Sequence, residues 1–280
     1  MNPVLAEKLI SAVDRMPAFP KNVQELLALT RNMDCSPKDV VLVIEKDPVL
    51  TVKILRVINA AYFNLSRPIT SINHAVIFLG FNTIKNLSLG VAAIGILPSH
   101  NAADFDAQQC LLHSLSCAGI AQQLALRVAD VDPMDCYLAG LLHDFGKLVL
   151  AQYFPDEFRQ ALAHSQSNAT SLHLSLREIM GIDHSSIGAM LVEKWRFPEK
   201  LVESIRYQYG PELKDTAMIA CVFTANQISK KMAFGFAGNS CVEELPAAIV
   251  KRLGGNLTEV LTSLGDLTLI HEEAKKFSRM

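Results

Sequence analysis

The chain has 280 residues, half of them hydrophobic and 19% charged, with a formal net charge of −2. That is enough apolar material for one large or two modest cores. A mean hydropathy of +0.24 with so few charges points to thick, multilayer packing. The near-neutral balance excludes a global field favouring nucleic acid or an anionic membrane, and five Tyr and one Trp are too few and too scattered for a base-stacking surface.

Helical periodicity recurs almost throughout. The start, Met1 to Lys8, lacks a basic segment followed by an apolar run, so no signal peptide is expected. Pro20 is well placed at a helix start, with Val23, Leu26, Leu27 and Leu29 following at helical spacing. Ser36-Pro37 opens a second helix and buries Val40, Val41, Val43 and Ile44. Asp47 caps a third, with Pro48 in its first turn and Leu50, Ile54, Leu55 and Ile58 on one face. Ile72 to Leu79 makes a fourth, stopped by Gly80, and Asn82 is expected to cap the apolar run from Ile84 to Leu97. The longest mostly apolar stretch, Leu87 to Leu97, is about half the ~20 residues a bilayer span needs, so it reads as a buried helix and no membrane insertion is expected.

Pro98 to Asp106, polar and rich in Pro, Ser, Asn and Asp, is the expected boundary between an N-terminal helical half, 1–100, and a second helical half with a C-terminal tail, 101–280. The linker is short, so the halves are expected to pack on each other. Beyond it, Ala107 to Val128 reads as one helix. Pro133 to Tyr153 reads as another, with Leu138, Leu141, Leu142, Phe145, Leu148 and Val149 inside. Asp183 caps His184 to Trp195, Pro198 opens a helix to Tyr207, and Ala217 to Lys231 follows. Ala233 to Cys241 is Gly-rich and reads as a loop. The tail carries short helices split by Gly254-Gly255 and Gly265. No strand-like alternation persists, so the expected class is an all-α, multi-helix bundle. The six cysteines form no Cys-x-x-Cys pair, which, with no export signal, fits a reducing cytoplasm.

Chemistry-bearing residues cluster in the second half. His143-Asp144 is read inside a strongly patterned helix, where neighbouring side chains project about 100° apart and can grip a metal between them. Lys147, one turn on, could meet an anionic group such as a phosphate, or pair with Asp144 on a wet face. His113 lies amid an apolar helix and His184 at the start of a capped one. Three helices each offering an inward His or Asp is how a bundle builds a metal site, and such nitrogen and carboxylate donors suit Fe, Mn, Ni or Zn. Taken singly, His113 could be a core histidine satisfied by a carbonyl, and His184 could face water. Cys117, one turn after His113, could approach the site or be a small core residue. His74, His100, His164, His173 and His271 have no partner motif and read as surface or satisfied core residues.

The ordered set His113, His143-Asp144, His184 resembles the HD superfamily of metal phosphohydrolases. The N-terminal half narrows the resemblance to the HDOD family. Asp47 to Phe63, Arg67-Pro68-Ile69-Thr70-Ser71-Ile72 with Ala75-Val76 to Leu79-Gly80, and Met16-Pro17-Ala18-Phe19-Pro20 are similar to that family's motifs. So are Ala189 to Leu191 and Trp195-Arg196-Phe197-Pro198. The resemblance implies an N-terminal helical subdomain packed on an HD-like helical domain, in a bacterial regulatory or output module of two-component or cyclic di-GMP signalling. No receiver, GGDEF or EAL-like segment is seen beside it.

Against the family pattern, Gln208 and Tyr209 stand where a His-His pair is often found, and Asn226 stands where the HD pattern places its last carboxylate. Neutral side chains are poor ligands for a first-row metal. His113, His143, Asp144 and His184 would then hold one divalent ion (Fe, Mn, Zn or Ni) weakly, or none, and a two-metal mechanism is unavailable. The Gly-Tyr-Pro element of cyclic di-GMP-cleaving HD proteins is also absent after His184. The expectation is a non-catalytic signalling module binding a protein partner or a nucleotide. The alternative is a metal-dependent phosphohydrolase with a mononuclear site, His184 being a fourth ligand or proton donor and Lys147 a phosphate contact. Lys53, Arg56 and Arg67 read as a solvated face, not a nucleic-acid surface.

Overall fold

A computed structural model of the chain describes residues 7, 11–12, 14–16, 18–29, 35–59, 67–96, 101–209 and 216–278. Every regular element among them is an α-helix, and the chain divides into two compact units, Pro17–Leu97 and Pro98–Met280 joined by Met1–Met16.

The first unit contains α1 (Lys21–Leu29), α2 (Pro37–Glu45), α3 (Pro48–Ile58), α4 (Ile72–Leu79) and α5 (Phe81–Gly95). Local sequence sets the helix starts. Ser36 and Asp39 form a reciprocal capping box on α2. The Asp47 carboxylate accepts from the backbone N–H groups of Val49 and Leu50, both at 3.0 Å. Gly80, at φ +86°, ends α4 and directly precedes α5. Asn82 therefore lies inside the first turn of α5 and does not cap it: the tight reversal at Gly80 lets the new helix begin at Phe81. Leu26, Ile44, Ile54, Ile58, Ile72 and Ile84 are fully buried. Asn59 ends α3 by clamping Ile69, donating to its carbonyl and accepting from its N–H, each at 2.7 Å. The motif residues Ala60 to Phe63, and Pro17, lie outside the described residues.

The second unit contains α6 (Ala107–Ala125), α7 (Pro133–Leu142), α8 (Phe145–Tyr153), α9 (Pro155–Ser167), α10 (Leu172–Met180), α11 (His184–Lys194), α12 (Glu199–Arg206), α13 (Ala217–Lys231), α14 (Ala247–Leu253), α15 (Leu257–Leu264) and α16 (Thr268–Ser278). Helix α6 is its axis, buried along most of its length and packed by α7, α13 and α16. Helix α8 packs on α11, α11 on α12, and α9 on α10. Helices α9 and α10 are additions to the elements expected from periodicity. The segment from Ala233 to Cys241 carries no helix beyond the turn that ends α13, as its glycines suggest.

Pro133 to Tyr153 is two helices, not one. His143 closes α7 and Asp144 precedes α8 at φ −105°, ψ 3°. The bend brings α8 onto α11 so closely that a Cβ at Gly146 would collide with the main-chain oxygen of His184. Among the described residues no helix is long and apolar enough to cross a membrane.

Candidate metal centre

The break between α7 and α8 aims His143 and Asp144 into the space between α6, α11 and α13. The carboxylate of Asp144 is its hub. Oδ2 lies 3.3 Å from His143 Nε2, 3.7 Å from His113 Nε2 and 2.6 Å from the Lys147 ammonium, while Oδ1 lies 3.2 Å from His184 Nε2. All five residues are 1% exposed or less. The four predicted ligands, on two helices and one helix junction, are therefore brought together.

Lys147 is part of this buried cluster and does not face solvent. Its ammonium donates to Asp144 Oδ2 and, at 2.8 Å, to the carbonyl of Ala237. The Gly-rich loop thus supplies a wall of the site. Gly235, at φ +74°, lets that loop run against the backbone of His113, where a Cβ would strike the His113 nitrogen.

Hydrogen bonds fix how the imidazoles present themselves. His143 Nδ1 lies 2.7 Å from the Gly140 carbonyl, so Nδ1 carries a proton and Nε2 turns inward. The Ser229 hydroxyl sits 3.1 Å from both His113 Nδ1 and the Phe234 carbonyl. His113 Nε2 lies 3.2 Å from Asn226 Oδ1, which can only accept, so the ring donates there from Nε2 and takes the Ser229 proton at Nδ1; a ring donating from Nδ1 to Ser229 instead would free Nε2 for a ligand. Such outward N–H contacts are the usual way metal-ligating histidines are oriented. Among the described residues His143 Nε2, Asp144 Oδ1 and both His184 nitrogens are buried without a hydrogen-bond partner. His184 Nε2 is near Asp144 Oδ1 but out of alignment for a bond.

The electrostatics follow from burial and the charges packed around Asp144. Burial alone would raise the Asp144 carboxyl; His143 and the Lys147 ammonium outweigh it and hold the group well below the usual carboxylate range. Burial pushes the His113 imidazole down to about 3 and that of His184 down as well, the latter reinforced by Lys147. These rings are neutral near pH 7 and free to act as ligands.

Three residues at the edge of the family pattern take distinct places. Gln208 does not face the cluster; its amide donates to the carbonyls of His143 and Ile205. Tyr209 does enter it, its ring edge-on to His184 and its hydroxyl bonded to the amide of Asn226. Asn226 Oδ1 lies 3.2 Å from His113 Nε2, so the neutral amide occupies the position expected of the closing carboxylate.

Two further donors complete the picture. Cys117, on the same face of α6 as His113, brings Sγ within 3.4 Å of His113 Nε2. His113, Cys117 and His143 form a group whose ligand atoms all lie within 4.8 Å of one another. His173, expected at the surface or in a satisfied core position, is buried and stacked on Tyr209 with ring centroids 4.3 Å apart. Its position with Leu172, Leu176 and Met180 on one face of α10 is the periodic signal that marks it as inward.

Tested against a metal, the donor set among the described residues fits one ion and not two. A fully buried, inward Nε2 on His143 calls for a cation or a proton. A second ion would need further anionic ligands, but Asp144 is already neutralised by Lys147 and Asn226 is uncharged.

Comparison with known proteins agrees with this geometry. Residues 16–211 match the family model of the HDOD domain. A Treponema pallidum protein of uncharacterized function is 26% identical over 207 residues, covering 74% of this chain and 40% of its own length. The chain therefore spans about two fifths of that relative. Among solved structures, an HDOD domain protein of unknown function from Geobacter sulfurreducens superposes with a TM-score of 0.81 at 24% identity, covering 98% of this chain and 97% of the other. A candidate phosphohydrolase from Shewanella amazonensis SB2B gives 0.76 at 26% identity, covering 96% and 97%.

Proposed function

The chain belongs to the HDOD family, related to metal-dependent phosphohydrolases, and from that premise we propose that it is a non-catalytic regulatory module of bacterial signalling. One observation carries the reading: among the described residues, the one carboxylate in the cluster is locked to the Lys147 ammonium at 2.6 Å, with both side chains buried. A hydrolytic two-metal site needs carboxylates free to bridge or ligate ions and an opening for the substrate; the described residues offer neither. Lys147 holds Asp144 and closes the loop at Ala237 rather than meeting a phosphate. In this reading the module works by binding a protein partner or a nucleotide. Its free cysteines suit a reducing cytoplasm.

The test is hydrolysis of p-nitrophenyl phosphate, bis-p-nitrophenyl phosphate and cyclic di-GMP by purified protein with added Mn, Fe, Zn or Ni. No turnover above that of His143→Ala is expected. Reproducible turnover abolished by His143→Ala would overturn the proposal in favour of the mononuclear phosphohydrolase. The inward Nε2 of His143 is the observation that favours that second reading.

A further inference from the structure

We infer that the buried centre is a nitrogen–sulfur site for a zinc-class ion, with His113 Nε2, His143 Nε2 and Cys117 Sγ as its ligands and Asp144 left in its pair with Lys147. The inference deepens the single-ion reading above by replacing the expected carboxylate ligand with a thiolate.

The third donor is the question. His113 and His143 each turn Nε2 inward, with Nδ1 engaged outward at Ser229 and at the Gly140 carbonyl; an ion at His113 Nε2 takes the place of the proton now shared with Asn226 Oδ1, and the ring then donates from Nδ1 to Ser229. Two candidates flank that pair: Asp144 Oδ2, at 3.3 Å and 3.7 Å from the two Nε2 atoms, and Cys117 Sγ, at 3.4 Å from that of His113. The ammonium of Lys147 sits 2.6 Å from Asp144 Oδ2. An ion using that oxygen would lie close to a fixed positive charge in a medium of low dielectric, where repulsion is strong. Cys117 carries no such competitor. Its thiol lies 3.8 Å from the carbonyl of Ala225 and on a turn of α6 that places it directly after His113.

Burial pushes the Cys117 thiol up, out of the range where it would ionise by itself. A bound divalent ion reverses this, because a coordinating thiol loses its proton outright. The S–H proton is released to solvent as the metal–sulfur bond forms. The charges then sum to one positive for the ion with its thiolate, beside a neutral Asp144–Lys147 pair.

Two imidazoles and a thiolate favour Zn2+ and its analogue Co2+ over Mg2+ and Mn2+, which prefer oxygen ligands. Because His113, Cys117 and His143 are all 1% exposed or less, the ion acts as a fastener between α6 and the α7–α8 junction.

Co2+ is the probe, titrated into the full chain after chelator treatment. One equivalent is expected to bind with a sulfur-to-cobalt charge-transfer band in the near ultraviolet. Cys117→Ser is expected to abolish the band and weaken Zn2+ binding by about 100-fold or more, beyond what loss of an outer contact does. Asp144→Asn is expected to keep the band, and so is Cys110→Ser, which leaves the three ligands intact. Far-ultraviolet circular dichroism establishes that each variant is folded, and a cobalt-bound Cys117→Ala serves if the serine variant is not. Bound Co2+ without the band, a band surviving removal of Cys117, or no Co2+ binding at all would overturn this inference and leave the non-catalytic reading standing. Phosphoester turnover by the cobalt form would overturn the non-catalytic reading whatever the band shows.

Discussion

The two units bury different chemistry. The interior of Pro17–Leu97 is almost wholly aliphatic; Asn86 and Ser88 are the polar residues buried among its described residues. The second unit buries His113, His143, Asp144, Lys147, His173, His184, Gln208, Asn226 and Gln227. Burying a polar group costs free energy unless it is paired, and burying a charge costs more. An aliphatic core needs no explanation beyond stability. A core that collects four histidines and an ion pair, and among the described residues leaves His143 Nε2 and both His184 nitrogens without a hydrogen-bond partner, is poised for something beyond its own protein atoms.

That contrast can be broken at the second unit first. Gly146→Ala places a methyl on the main chain of His184, in a region where α8 and α11 cannot separate without moving both His184 and Asp144. The loss should exceed about 4 kcal/mol, the range reached only by major lesions, and show as failure to recover folded protein. Next, Lys147→Met strands the Asp144 charge and should cost about 3–5 kcal/mol in denaturant unfolding. Adding Asp144→Asn should restore much of that loss; additive effects would mean the pair is not coupled.

In the aliphatic unit the expected lesion is of a different kind. Ile54→Ala should cost about 2–5 kcal/mol by leaving a cavity, with little dependence on pH. In the polar unit, acid should matter. Burial holds His173 down to about 3, against 6.5 for an ordinary histidine. The unfolded chain therefore binds a proton that the folded chain resists, and stability falls as pH drops from 6.5 towards 3. Each such group lowers the folded-to-unfolded ratio by up to about tenfold per pH unit; His113 acts in the same direction. His173→Phe, which keeps a ring against Tyr209, should flatten the acid limb. An unchanged limb would remove His173 from the account. Smallest is Ser36→Ala, which removes the α2 cap and should cost about 1 kcal/mol.

The same contrast governs what the sequence discloses. Cap and breaker residues such as Ser36, Asp47, Gly80 and Asp183 act within a few residues, so the helix starts at Ser36, Asp47 and Asp183 and the stop at Gly80 were legible. The meeting of His113, His143-Asp144 and His184 was legible too, but only as an ordered set matched to a family pattern. The break between α7 and α8 was not, because it is imposed by the close approach of α8 to α11 at Gly146, a tertiary demand that leaves the apolar periodicity of both helices intact. Nor did the chain reveal that Lys147 turns inward. An i,i+3 acid–base pair looks the same on a wet surface as in a core, and its second partner, the Ala237 carbonyl, comes from a loop 90 residues away. Tyr209 and Gln208 are neighbours in sequence yet face different groups, because α12 ends at Arg206 and helical spacing no longer predicts their directions.

The central claim is that this HD-like core binds at most one ion and does no phosphoester chemistry. Metal content per chain, measured by elemental analysis on the same purified sample that is assayed for phosphodiesterase and phosphatase turnover, tests it most directly. One Zn2+ or fewer per chain and no turnover above His143→Ala are expected. Two ions per chain, accompanied by turnover that His143→Ala abolishes, would contradict the claim.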